Sequence, residues 1–62
     1  MPIVHVYMFE GREIEVKRKL TKSVTEAVVN SLNVKPELVR VIINEIKKEN
    51  MSLGGVLRSD AK

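Results

Sequence analysis

Residues 39–46 read Val-Arg-Val-Ile-Ile-Asn-Glu-Ile, and this stretch decides the fold class. Its β-branched residues are typical of a strand, in which successive side chains point to opposite faces. Apolar residues occupy both faces, with Val39, Val41 and Ile43 on one and Ile42 and Ile46 on the other. Parallel strands that are buried on both faces have this pattern. The stretch therefore predicts a parallel strand with little solvent-facing surface.

A first strand and a helix precede this strand in the chain. Residues 3–9, Ile-Val-His-Val-Tyr-Met-Phe, contain no Gly or Pro and stop shortly before the turn-prone Gly11, which indicates a strand. From residue 14 to residue 32 apolar side chains recur at steps of three and four, which predicts one amphipathic helix. Its apolar stripe comprises Val16, Leu20, Val24, Ala27 or Val28, and Leu32.

Charged and turn-forming residues mark the outer face and the end of this helix. The face opposite the stripe carries Lys17, Arg18, Lys22 and Glu26. The i,i+4 spacing predicts two ion pairs, Glu13 with Lys17 and Glu15 with Lys19. Asn33 suits the left-handed position that closes a helix, and Pro36 prevents the helix from resuming.

Strand, helix and strand form a βαβ unit, an α/β fold in which a right-handed crossover joins two parallel strands. Downstream, Gly54-Gly55 predicts a hairpin between residues 51–53 and 56–57, and residues 59–62 are expected to form a flexible tail. Residues 1–62 are thus predicted to be a single domain. Because one helix covers only one sheet face, we expect the other face to pack against another subunit.

Composition narrows the class of protein further. A chain of 62 residues buries only about 60% of its unfolded surface and is marginal alone. It has no Cys, and its one His, His5, has no second soft ligand, so neither a disulfide framework nor a metal site is expected. We interpret His5 as a packed or hydrogen-bonded structural residue. Oligomerisation is the remaining means of stabilisation.

Charge and hydropathy exclude several partners. Eleven Lys and Arg against eight Asp and Glu give a net charge of +3, spread along the chain, which favours anionic partners only weakly. No basic stripe with interleaved aromatic residues is present, so no nucleic-acid site is expected. The sequence shows neither a secretory signal nor an apolar run of membrane-spanning length. The sequence predicts a cytoplasmic protein that does not enter a membrane.

Pro2 is the residue whose chemistry could be unusual. Methionine is normally removed when the next residue is small, and its removal would leave a secondary amine at the chain terminus. A free α-amino group has a pKa of about 7.7 to 8.0, and nearby cations or a dry pocket lower it toward neutrality. Such an amine can act as a general base. With Met1 attached, Pro2 is a tertiary amide without a basic lone pair, and many chains begin Met-Pro for no catalytic reason.

Two arginines are candidates for binding an anion. Arg12 follows the first strand at Gly11, and Arg40 interrupts an otherwise apolar strand. A guanidinium matches carboxylate geometry with two parallel hydrogen bonds, so the pair could hold a dianionic substrate. The alternative is structural, because Arg40 could extend to solvent or form a salt bridge with Glu45 or with a neighbouring chain.

Taken together, the spacing of these pieces resembles the 4-oxalocrotonate tautomerases. The resemblance runs without an apparent gap from Pro2 to about Leu57 and rests on Pro2-Ile3, Glu10-Gly11-Arg12, Val24-Thr25-Glu26-Ala27, residues 39–45 and Gly54-Gly55. It implies an isomerase of aromatic hydrocarbon catabolism that converts an enol such as 2-hydroxymuconate to its conjugated ketone. It also implies a homohexamer built from dimers, with active sites formed across subunits and no cofactor.

The resemblance also implies roles for individual residues. Pro2 would be the base, Arg40 from a neighbouring subunit would hold a carboxylate and the developing oxyanion, and Arg12 would bind the distal carboxylate. Phe9, Met51 and Leu53 would line the substrate pocket, and no metal would be bound. Met51 stands where the family commonly has an aromatic residue, which gives a softer wall.

Two alternatives stay open at this level. The same fold could catalyse hydration or dehalogenation of a small unsaturated acid, which also resembles chemistry of this superfamily. A non-enzymatic oligomeric binding module is the other alternative, and steeply salt-dependent nucleic-acid binding would favour it.

Overall fold

A computed structural model describes residues 1–61 and shows the predicted βαβ unit followed by a hairpin. Strand β1 (Ile3–Phe9) leads through helix α1 (Ile14–Leu32) to strand β2 (Arg40–Ile46), and the short strands β3 (Ser52–Leu53) and β4 (Val56–Leu57) follow. Strands β1 and β2 are parallel, in a register that runs from Ile3 opposite Arg40 to Phe9 opposite Ile46. Strands β3 and β4 pair antiparallel in a separate sheet. The predicted fold class is confirmed.

Single 3₁₀ turns, which the sequence did not predict, flank β2 at Pro36–Leu38 and Lys48–Asn50. The first of them explains why β2 begins one residue later than predicted. The backbone N–H of Val39 donates to the Pro36 carbonyl at 3.0 Å, so Val39 closes the turn and does not join the sheet. The first N–H of the strand, that of Arg40, donates to the carbonyl of Pro2.

Helix α1 has the predicted boundaries. Glu13 is its N-cap, where the backbone carbonyl accepts from the N–H groups of Val16 and Lys17 but the side chain forms no capping hydrogen bond. Asn33 closes the helix in the left-handed conformation, with φ 55° and ψ 50°, and its N–H donates to the Val29 carbonyl at 2.9 Å. A short amide side chain tolerates this conformation better than most, which is why the sequence signal was reliable.

The helix packs on one sheet face through a stripe that differs in part from the predicted one. Leu20, Val24 and Val28 are half-buried as predicted, whereas Val16, Ala27 and Leu32 are exposed. Ala27 points to the side of the stripe, and the other two lie near the helix ends. A helix of 19 residues spans about 28 Å, longer than either seven-residue strand at about 23 Å, so its ends project past the sheet.

The ion pairs of the helix differ from those predicted. Lys17 lies on the sheet-facing side, half-buried, and its Nζ is 2.5 Å from Oε1 of Glu45 in β2. Glu15 pairs with Arg18 at i,i+3. The predicted pair of Glu13 with Lys17 was wrong because Lys17 has a partner across the interface between helix and sheet, which helical spacing alone does not reveal. The predicted pair of Glu15 with Lys19 was wrong because Glu15 pairs with Arg18.

The second sheet face, here called the uncovered face, has no layer packed on it. It carries the register partners Ile3 and Arg40, His5 and Ile42, Tyr7 and Asn44, and Phe9 and Ile46. Ile3 is 53% exposed, Tyr7 68% and Ile42 42%, and no residue of the described chain is classed as buried. One polar contact crosses this face, His5 Nδ1 to Asn44 Nδ2 at 3.5 Å. Residues 1–61 of a single chain therefore contain no fully buried core.

The carboxyl-terminal hairpin turns at Gly54 and Gly55, whose φ angles of 60° and 84° lie in the left-handed region. Two successive residues in this conformation form a two-residue turn whose twist matches that of the strands it joins. Beyond it, the N–H of Ser59 donates to the Lys48 carbonyl at 3.2 Å, and further hydrogen bonds extend to Ala61. Lys62, the last residue of the predicted tail, lies outside the described residues, and the flexibility of residues 59–62 stays a prediction.

Within residues 1–61, no helix combines the length and apolar character needed to cross a bilayer.

Candidate active site

Pro2 and Arg40 lie together at the starting end of the two parallel strands, here called the Pro2 end. The Pro2 carbonyl accepts the Arg40 N–H at 3.0 Å, immediately before Ile3 pairs with Arg40. Pro2 is half-buried, and Met1 before it is 69% exposed. An exposed terminal methionine is accessible to a processing enzyme, and its removal would place a free secondary amine at this end of the sheet.

Arg40 is exposed and has no carboxylate within salt-bridge distance in residues 1–61. The salt bridge to Glu45 considered from the sequence does not form within the chain, because Glu45 points to the helix and pairs with Lys17. Arg40 and Glu45 are five positions apart, an odd number, so alternation along the strand places their side chains on opposite faces. Arg40 extends from the uncovered face, where another subunit is expected.

Arg12 and Phe9 lie at the finishing end of the strands, here called the Arg12 end. Strand β1 leaves the sheet here, with the Glu10 N–H donating to the Ile46 carbonyl at 3.0 Å. Gly11 follows with φ 109°, a conformation that residues with a side chain rarely adopt. This turn directs Arg12 to the rim of a cavity of about 640 Å³, which is lined by Met8, Phe9, Glu10, Gly11, Arg12, Val16 and Lys48.

A smaller, almost wholly apolar cavity of about 260 Å³ adjoins the same end. Tyr7, Met8, Phe9, Ile46 and Met51 line it. Phe9 borders both cavities, so Phe9 and Met51 share one apolar wall close to Arg12. The third predicted lining residue, Leu53, is on the hairpin, is 67% exposed and lines neither cavity.

The two ends are too far apart to form one site within a chain. Strand β1 runs from Ile3 to Phe9, six steps of about 3.3 Å, so roughly 20 Å separates the ends. Pro2 and Arg40 stand at one end, and Arg12, Phe9 and Met51 stand at the other. The structure brings together the members of each group but does not bring the groups together.

The structure adds residues that the sequence did not single out. Lys48 lines the cavity beside Arg12, and Tyr7 lines the apolar cavity beside Met51. The polar run at residues 47–50 gave no sign that one of its lysines faces the Gly11 turn. A third depression of about 620 Å³, along the outside of the helix near Thr25 and Pro36, contains none of the predicted site residues. Within the described chain, no group of three or more His, Asp or Glu could hold a metal ion.

Comparisons with known proteins agree with this architecture. A family model described as tautomerase enzyme matches residues 2–61. The 2-hydroxymuconate tautomerase of Pseudomonas sp. strain CF600 is 46% identical over 55 residues, covering 89% of this chain and 87% of that protein.

Solved structures show the same relationship. The crystal structure of YwhB, a homologue of 4-oxalocrotonate tautomerase, has a TM-score of 0.94 at 39% identity and covers 98% of this chain and 100% of that one. A heterohexamer 4-oxalocrotonate tautomerase from Chloroflexus aurantiacus J-10-fl has a TM-score of 0.92 at 27% identity, with both chains covered in full. The chain belongs to the tautomerase family and is an isomerase.

Proposed function

We propose that this enzyme converts the enol of a 2-hydroxydienoate, such as 2-hydroxymuconate, to its conjugated ketone, with the amino group of Pro2 as general base. The observation that carries the proposal is the placement of Pro2. Pro2 is half-buried at the starting end of a parallel strand pair, its carbonyl accepts the backbone N–H of Arg40 in the same chain, and the Met1 that precedes it is exposed. The name of the Pseudomonas relative, 2-hydroxymuconate tautomerase, supports the choice of substrate class.

The reaction is a proton shift in which no electron leaves the substrate. The neutral amine of Pro2 removes the proton from the 2-hydroxyl group, which leaves a dienolate whose negative charge is shared between oxygen and the conjugated carbons. The same amine, now protonated, returns the proton to carbon, and the oxygen becomes the ketone. Atoms and electrons balance without an oxidant or reductant, so we expect no cofactor and no metal.

Arg40 and Arg12 have separate tasks in this scheme. Arg40 binds the carboxylate next to the reacting oxygen and stabilises the charge that develops on it, an interaction that strengthens in the transition state. Arg12 binds the distal carboxylate and fixes the position of the substrate. Phe9, Met51 and Leu53 form the apolar walls, of which Phe9 and Met51 already share one cavity.

These surroundings should favour the neutral form of the base. Two guanidinium groups repel a protonated amine, and an apolar wall deprives it of water, so both effects lower the pKa of the Pro2 amine. A decrease of one unit from the reference value raises the neutral fraction at pH 7 from roughly a tenth to about half.

The proposed site requires more than one chain, and we propose a homohexamer made of three dimers. Roughly 20 Å lies between the two ends of β1 within a chain,, whereas a six-carbon diacid is much shorter. A second copy that presents its Arg12 end to Pro2, and a further Arg40 from a neighbour, would complete the site. The uncovered face and the absence of a buried core in the described chain support assembly. The Chloroflexus relative forms a heterohexamer.

The proposal is tested by following 2-hydroxymuconate in the ultraviolet, where the enol and the conjugated ketone absorb differently. Protein whose measured mass shows that Met1 has been removed should convert the enol. The rate should depend on Pro2, Arg12 and Arg40. Product analysis by NMR separates the alternatives, because a hydratase would add water and a dehalogenase would release halide from a halogenated acid. A cytoplasmic location and a role in aromatic hydrocarbon catabolism stay predictions.

A further inference from the structure

Lys48 faces the same cavity as Arg12, although the two residues are 36 positions apart in the chain. The cavity lies between two segments that leave the sheet side by side. One is the turn at Gly11 after β1, and the other is the 3₁₀ turn Lys48–Asn50 after β2. The hydrogen bond from the Glu10 N–H to the Ile46 carbonyl joins these segments where they leave the sheet, so their next residues stand on two sides of one opening.

The backbone of Lys48 is fixed on both sides. Within its own turn, the Asn50 N–H donates to the Lys47 carbonyl at 2.8 Å, and from the carboxyl-terminal segment the Ser59 N–H donates to the Lys48 carbonyl at 3.2 Å. The neighbouring Arg58 N–H donates to the Met51 carbonyl at 2.7 Å. A residue held in this way presents its side chain at a defined place on the rim, even though the side chain itself is exposed.

The charges around the cavity leave a positive excess. Its lining contains Arg12 and Lys48, which are positive, and Glu10, which is negative, so the net charge of the lining is +1. Neither cation forms an ion pair within residues 1–61, whereas the nearby Lys17 and Glu45 neutralise each other. An anion that enters the cavity therefore meets two cations that are not engaged in ion pairs and a single carboxylate, that of Glu10.

We propose that Lys48 is a second cation for the distal carboxylate of the substrate, and that with Arg12 it makes the enzyme prefer dicarboxylates to monocarboxylates. The inference rests on the proposed function, since it concerns the substrate class of the same site. The two cations have different strengths. The planar fork of Arg12 orients the carboxylate through paired hydrogen bonds, and the ammonium of Lys48 adds a point charge that tolerates small changes in position.

The chain offers a matched control for Lys48. Lys47 is adjacent, carries the same charge and is also exposed, but it lines none of the three cavities. Lys47→Gln therefore changes the net charge of the protein as Lys48→Gln does, without changing the cavity. Lys48→Arg keeps the charge at the rim and tests whether charge is the relevant property.

The experiment measures binding of two unreactive dienoates by calorimetry, the dicarboxylate muconate and the monocarboxylate sorbate. Lys48→Gln should weaken muconate binding by about two- to fivefold, the range expected for an exposed ion pair, and should leave sorbate binding nearly unchanged. Lys47→Gln and Lys48→Arg should leave the affinity for muconate within twofold of the original. Sedimentation of each variant should show the original assembly.

Equal weakening for muconate and sorbate, or equal effects of Lys47→Gln and Lys48→Gln, would overturn the inference. The result is independent of the proposed reaction, because both dienoates bind without turnover. A Lys48-dependent preference for muconate in a protein that fails to convert 2-hydroxymuconate would refute the tautomerase substrate and retain the dicarboxylate site. Turnover that is unaffected by Lys48→Gln, together with unchanged muconate binding, would refute the role of Lys48 alone.

Discussion

Mixing two impaired variants should restore activity measured well below KM, because the proposed site takes Pro2 and Arg12 from different chains. The perturbation pairs a chain that retains Met1, and so lacks the base, with the variant Arg12→Ala. Within one chain, roughly 20 Å lies between the two ends of β1,, so neither variant can repair its own site. If chains assemble at random from an equal mixture, a site has an intact Pro2 from one chain and an intact Arg12 from another in about one case in four.

The assay unfolds both variants, mixes them, refolds them together and measures turnover of 2-hydroxymuconate. We expect about a quarter of the activity of the unaltered enzyme, once the activities of the two variants refolded separately have been subtracted. A matched control mixes the unaltered chain with a chain that carries both defects. Sites split between chains should again retain about a quarter of the activity in this control, whereas sites formed within one chain should retain about half. No recovery in the first mixture, combined with half in the second, would refute the split site.

Three further predictions concern single residues. Arg40→Ala should lower kcat by about a hundred- to a thousandfold, as expected for loss of a group that stabilises an oxyanion. Small and equal changes in the steady-state kinetics of Arg40→Ala and Arg12→Ala would favour a structural role for both arginines. Arg12→Ala should mainly raise KM for a dicarboxylate, by about tenfold or more because a charged hydrogen-bonding partner is lost, and should leave KM for a monocarboxylate nearly unchanged. Ile42→Lys should shift the protein toward smaller species in sedimentation, since burying an isoleucine side chain contributes about 1.5 to 3 kcal/mol and the lysine would charge the uncovered face. Lys19→Glu, on the exposed side of the helix, should leave the sedimentation unchanged.

The elements of the fold could be predicted because their signals are local. Alternating and continuous apolar residues identify the strands, and Asn33 and the pair Gly54-Gly55 mark places where the backbone needs the left-handed region. The expectation that another subunit covers the sheet also came from sequence, since residues 39–46 have more apolar residues than one helix can cover. The structure leaves Ile42 on the uncovered face, as that reasoning requires.

Features that depend on distant residues could not be predicted in the same way. The partner of Lys17 is Glu45, 28 residues away, and only the packing of helix on sheet makes them neighbours. The position of Lys48 beside Arg12 depends on how two loops leave the same edge of the sheet. The separation of Pro2 from Arg12 follows from their positions at opposite ends of β1. The roles proposed for Pro2, Arg12 and Arg40 came from the resemblance to a family and not from the residues alone.

The measurement that tests the central claim most directly is the pH dependence of kcat/KM for 2-hydroxymuconate, compared between processed protein and protein that retains Met1. A base acts in its neutral form, so the rate of the processed enzyme should rise with pH along an acidic limb that reports the free Pro2 amine. Because neighbouring cations and apolar walls lower the pKa, the midpoint should lie below the reference of about 7.7 to 8.0. The account predicts this limb in the processed enzyme and no activity in the form that retains Met1. Comparable activity in the two forms would contradict the assignment of Pro2 as the base.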